Sequence, residues 1–172
     1  MSLRLSDHWL WDHWICDDGE RYHLFFLRAS RALHDPERRH FRASMGHAVS
    51  DDLDHWEVLP PLTGPSAFGQ LEVCQSRMID GRHVLVFSCG SDMQAEPGPG
   101  GVWIAEGAGA LGPWDIDRAR HVRPEHLYAG QVLRLRDGEW VFSGFNNIVD
   151  GRFVGSIPDP IPWGEIRLVG ES

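Results

Sequence analysis

Three segments of this chain repeat one another, and that self-similarity limits the possible folds more than any other feature. Asp18-Gly19-Glu20-Arg21-Tyr22-His23-Leu24-Phe25-Phe26, Asp80-Gly81-Arg82-His83-Val84-Leu85-Val86-Phe87-Ser88 and Asp137-Gly138-Glu139-Trp140-Val141-Phe142-Ser143 each join a turn to an aromatic and β-branched run. An Asp-Gly pair suits a tight hairpin because glycine takes positive φ freely, and the run after it suits a buried, pleated strand. A second matching element follows each one: Gly46–Ser50 ending at Trp56, Val102–Ala105 ending at Trp114, and Phe153–Ser156 ending at Trp163. A period of about sixty residues with several short strands per unit points to four-stranded propeller blades rather than a helical solenoid. A β-sandwich with similar hairpins is the competing all-β reading. The expected architecture is therefore one all-β, propeller-type domain over residues 1–172, with blades near 1–57, 58–115 and 116–172.

Blade counting then raises a steric problem. Propeller rings usually take about four to eight blades, and three sheets arranged radially leave two broad apolar faces open to water. The simplest completion is a second copy, giving a twofold homodimer with a six-bladed ring; a different partner chain could also close it.

Composition narrows the partners. The chain of 172 residues carries a net charge of −9, and all 16 of its basic residues are arginine, so nucleic acid and anionic membranes are poor partners. Met1–Asp7 lacks the apolar core of a signal peptide, and no stretch approaches the ~20 apolar residues needed to cross a bilayer, so the expected location is cytoplasmic. Cys16, Cys74 and Cys89 have no C-x-x-C spacing and read as buried thiols rather than a disulfide framework. The ten histidines show no zinc spacing such as H-E-x-x-H, so neither a metal nor another cofactor is expected. The run Glu96–Gly101 leads into a strand instead of a helix, which makes it a loop rather than a phosphate cradle.

The residues now in view carry a family resemblance. Trp11-Asp12-His13-Trp14 followed by Tyr22–Phe26, then Gly46-His47-Ala48-Val49-Ser50-Asp51-Asp52-Leu53-Asp54-His55-Trp56, resembles the opening blade of the five-bladed furanosidases. These are the invertase and levansucrase types of glycoside hydrolase families 32 and 68, with arabinanase-like and xylosidase-like relatives in family 43. Phe68-Gly69-Gln70-Leu71-Glu72-Val73 resembles the blade that supplies the acid in that superfamily. The resemblance covers nearly the whole chain and implies a nucleophilic or basic Asp12 and a general-acid Glu72. It also implies that this chain joins the first blade, near Glu57–Pro61, directly to the last two. The superfamily's third carboxylate, in an Arg-Asp-Pro motif, has no counterpart here; His34-Asp35-Pro36 lies inside the first repeat.

Spacing is compatible with that pairing. Asp12 lies seven residues before Gly19, and Glu72 nine before Gly81, so both have the same parity on the first strand of their blades and share one face, where two carboxyls could flank a ligand in the channel mouth. Apolar neighbours such as Phe68 and Leu71 would keep Glu72 protonated for an acid's role. Trp14 shares the parity of Asp12 and is a candidate ligand-stacking residue, whereas Trp56, Trp114 and Trp163 read as packing. In the third blade, Leu127-Tyr128-Ala129-Gly130-Gln131 offers no acid, but Tyr128 and Gln131 are candidate substrate-binding residues. Two function classes follow. One is a glycosidase-like enzyme performing acid/base chemistry on a furanoside or other small ligand with Asp12 and Glu72. The other is a repurposed propeller, either a binding or assembly module or a non-hydrolytic enzyme.

Overall fold

The computed structural model describes residues 3–166. It contains three four-stranded antiparallel sheets resembling propeller blades. The first is formed by β1 (His8–Asp17), β2 (Tyr22–Ser30), β3 (Ser44–Ser50) and β4 (Glu57–Leu59), hydrogen-bonded in chain order. The second repeats that meander with β5 (Glu72–Ile79), β6 (Arg82–Cys89), β7 (Gly101–Gly107) and β8 (Arg120–Pro124). The third differs. Here β9 (Leu127–Arg134) pairs with one edge of β10 (Trp140–Val149), while β11 (Arg152–Ser156) and β12 (Ile161–Pro162) share the other edge end to end. This sheet is three ranks wide. The second sheet does not end at Trp114, which makes only an isolated bridge to Gly107; its outer strand follows at Arg120–Pro124. Among the described residues no helix is long and apolar enough to cross a membrane.

Packing follows from alternation. In β6, Leu85, Phe87 and Cys89 join Leu27, Met45, Leu71 and Trp114 in a core between the first and second sheets. Val84 and Val86, on the opposite face, join Val102, Val122, Val132 and Phe142 between the second and third. The middle sheet is thus covered on both sides, which is why β6 reads as an unbroken apolar run, Val84-Leu85-Val86-Phe87. The far face of the first sheet gathers Leu24, Phe26 and Ala48 with Leu3, Leu5, Leu10 and Trp56. A cavity of about 420 Å³ lies open on that side, lined in part by Leu10, Ile15, Leu24 and Trp56. The third sheet's free side and hairpin expose Leu133, Leu135, Phe153 at 69% and Ile157 at 79%.

Each inner strand carries the same irregularity. Register breaks between Trp11 and His13, between Glu72 and Gln75, and opposite the Ser143–Phe145 step of β10. The residues at these breaks, Asp12, Val73 and Ala129, have φ of 43°, 52° and 51°. A β-bulge inserts one residue and turns the strand, so side-chain parity changes across it. Counting from the turn glycines passes through this change. By bulge position Asp12 corresponds to Val73 and Ala129, while Glu72 corresponds to Trp11 and Tyr128, and Trp14 to Gln75 and Gln131.

Of the three cysteines, Cys74 and Cys89 are buried as expected and Cys16 is exposed. Cys16 lies beyond the bulge at the hairpin end of β1, in the exposed run Ile15–Asp17. Burial pushes both other thiols up, Cys89 to about 11.

Candidate functional site

The inner strands bring Glu72 and Tyr128 together. The Tyr128 hydroxyl donates to Glu72 Oε2 at 2.7 Å, joining the second sheet to the third. Both residues immediately precede their bulges, so each is displayed where its strand kinks. Burial, and then the bond and charge of Glu72, push the Tyr128 phenol well above its ordinary value. Tyr128 is therefore a fixed donor, and among the described residues Glu72 Oε1 has no hydrogen-bond partner. Nearby bonds lock the two sheets. Val132 N–H donates to Gln75 Oε1 at 2.8 Å, and Gly130 N–H to Ser88 Oγ at 3.3 Å.

Asp12 stands on the bulge of the first sheet. It is exposed, and among the described residues its carboxylate makes no hydrogen bond or ion pair. Trp14 and Gln131 lie elsewhere. Trp14 sits in the wedge between the first two sheets, stacked on Phe25 at 5.8 Å beside a small void of about 70 Å³ that Met45, Leu62, Cys74 and Trp114 also line. Gln131 is exposed on the third sheet's free side, opposite to Val132, which points into the core. The bulge explains both positions: by register Trp14 and Gln131 are counterparts of Gln75, whose side chain reaches toward the next sheet rather than the mouth.

A further carboxylate lies near the Glu72–Tyr128 pair. Glu125, in the crossover to β9, accepts from Ser91 Oγ at 2.7 Å and from Ser91 N–H at 3.3 Å, and its charge also acts on Tyr128. A Cβ on Gly100 would come within 2.5 Å of Glu125 Oε2, so a glycine there leaves room for the carboxylate that bonds Ser91 at the start of the 90–100 loop. Ala95 N–H to Ala67 O and Gly69 N–H to Met93 O, both 2.8 Å, fix this loop to the strand-entry segment before β5. No local motif marks Glu125, because its partner lies 34 residues away. Among the described residues no group of three His, Cys, Asp or Glu side chains could hold a metal.

Neither family models nor curated proteins match this sequence. Solved structures do match the fold. An inulosucrase from Halalkalicoccus jeotgali bound to kestose aligns with a TM-score of 0.60 and 23% identity over 86% of this chain and 41% of its own. A levansucrase from Gluconacetobacter diazotrophicus gives 0.60 and 16% over 90% and 43%. A family 43 β-xylosidase/α-arabinofuranosidase from a compost microbial metagenome gives 0.57 and 11% over 88% and 49%. In each case this chain spans less than half the length of the matched protein. Three sheets of matching arrangement, and a length short of a whole ring, give the conclusion that the chain has the fold of the five-bladed-propeller furanosidases of glycoside hydrolase families 32, 68 and 43, over part of their length.

Proposed function

We propose that the mouth formed by the inner strands is a glycoside-hydrolase-like site for a furanoside, with Asp12 as nucleophile or base and Glu72 as general acid. The observation supporting this reading is the Tyr128–Glu72 bond, which orients one carboxyl at the mouth and leaves its second oxygen unbonded, while Asp12 carries an unengaged carboxylate on another inner strand. Glycoside hydrolysis needs two such groups, one to protonate the leaving oxygen and one to attack or to activate water. Tyr128 positions Glu72. Gln131 belongs to this site only if a second copy brings the third sheet's free side to the ring, and Trp14 acts from the wedge by supporting β1.

Ring closure by a second copy in the cytoplasm is part of the same proposal. In a twofold ring the free face of the first sheet in one copy meets the free face of the third sheet in the other, twice. That arrangement covers the Leu24–Trp56 side and the Leu133–Leu135 side together. Mass in solution tests it, and a monodisperse monomer overturns it.

Activity is tested on alkyl and aryl fructosides and arabinofuranosides with Asp12→Asn and Glu72→Gln. Loss of a general acid costs about 10²–10⁴-fold. The Glu72→Gln loss should shrink on a nitrophenyl leaving group, which departs without protonation, whereas Asp12→Asn should lose equally on both. Activity unchanged in both variants overturns the assignment. A wild-type protein that binds furanosides without turning them over favours the repurposed propeller instead.

A further inference from the structure

We propose that a separate cleft on the first sheet, lined by His8, Arg28, Arg42, Ser44, Thr63 and Gly64, binds the phosphate group of a small phosphate ester or free phosphate. The cleft encloses about 310 Å³, at the small end of ligand-site volumes. It draws on an unusual concentration of charge: five of the 16 arginines of this acidic chain fall between residues 28 and 42.

Two of those guanidiniums line the cleft outside any direct ion pair, although the Asp7 carboxylate feels the Arg28 charge across His8. Among the described residues neither Arg28 nor Arg42 makes an ion pair. Arg28 Nη2 lies 2.7 Å from His8 Nε2. Arginine only donates, so Nε2 must be the unprotonated ring nitrogen, and the proton sits on Nδ1, 2.8 Å from Asp7 Oδ1. Asp7, the acid that faces this group, lies on the far side of the imidazole with its carboxylate mostly in water. Arg28 Nε is buried and has no hydrogen-bond partner. A buried N–H with no acceptor is costly, and a tetrahedral oxyanion supplies several acceptors at once.

The neutral wall is partly apolar, from Ala29, Leu33, Pro61 and Pro65, and partly hydroxylic. Thr63, 5% exposed, accepts the Met45 N–H at 2.9 Å, which leaves its own O–H to donate. Ser44, at the start of β3, adds a second hydroxyl. The remaining arginines of the run are engaged or placed elsewhere: Arg31 donates to His8 O and covers Trp9, and Arg39 bonds Pro36 O and Glu37.

Calorimetric titration with inorganic phosphate at constant ionic strength, in a buffer free of other oxyanions, tests the site. Saturable binding is expected, weakened about tenfold or more by Arg28→Gln and by Arg42→Gln. Arg42 is exposed, so its variant keeps the fold even if Arg28→Gln does not. Arg38→Gln, outside the cleft, should bind as the parent does. Ribose 5-phosphate separates the two sources: tighter binding than inorganic phosphate assigns the site to an ester, and equal binding to the free anion. No saturable binding of either at millimolar concentration, or binding that Arg42→Gln leaves unchanged, overturns the proposal.

Discussion

Gly130→Ala probes the joint that carries the candidate site. Gly130 is the second residue of the third bulge, two positions after Tyr128, and a Cβ there would lie 2.6 Å from two ring carbons of Phe142 and 2.7 Å from Val102 Cγ1. Phe142 and Val102 are both fully buried between the second and third sheets, so neither can swing aside. Overpacking of this kind costs about 1–3 kcal/mol, or roughly 2–4 °C of Tm per kcal/mol in a chain of this size. The φ of Gly130 is not positive, so the cost is packing and not backbone strain. Gly81→Ala supplies the contrast: φ is 76° with nothing within 4 Å of the added carbon, and its loss of about 1 kcal/mol is conformational. Urea titrations of Gly130→Ala, Phe142→Leu and the double variant form a cycle. If the ring is the obstacle, the double variant loses less than the sum of the singles by about 0.5 kcal/mol or more. Strict additivity, or a loss below about 0.5 kcal/mol for Gly130→Ala, refutes the packing argument.

Other outcomes follow from the same geometry. His47 is buried, stacked on Phe25 at 5.0 Å and 2.9 Å from His23, whose other nitrogen meets Asp18 at 2.9 Å. Burial first, and the His23 charge second, hold His47 below its ordinary 6.5. The unfolded chain therefore takes up this proton first; the contribution is whole above pH 6.5, falls as pH drops toward the folded value, and is removed from the pH profile of urea stability by His47→Gln. Backbone N–H donors hold Asp18 and Asp52 at about 2 against an ordinary 3.8, so their contribution is present above 3.8 and fades as pH falls toward 2. A thiol reagent at neutral pH should label Cys16 alone in the folded chain and all three cysteines in denaturant, since only Cys16 is exposed. If a second copy closes the ring, Leu133→Glu on the third sheet's free side should halve the particle mass by ultracentrifugation while leaving the far-UV spectrum unchanged.

Much of the fold is legible along the chain because hairpins are local. Asp-Gly turns at 18–19, 80–81 and 137–138 and the runs after them identify β2, β6 and β10, and their recurrence gives three sheets. The candidate site is legible only in part. Glu72 and Tyr128 can be singled out from their strands, but their 2.7 Å bond spans 56 residues and two sheets, a proximity that no spacing encodes. Glu125 shares that character, since its Ser91 partner lies 34 residues away; the Arg28–Arg42 cleft is instead built within the first sheet and its loops, from strands that meet by pairing.

The bulges mark the boundary between the two kinds of information. Alternation along a strand is dictated by backbone geometry, so sequence determines which residues share a face as long as the register is unbroken. One inserted residue reverses that assignment, and nothing in Trp11-Asp12-His13, Glu72-Val73-Cys74 or Tyr128-Ala129-Gly130 announces the insertion. Tertiary structure decided that Trp14 fills a wedge, that Gln131 faces outward, and that Tyr128 turns to meet Glu72. The physical reason is that a bulge's side-chain directions are fixed by the register of the neighbouring strand and the sheets stacked on it.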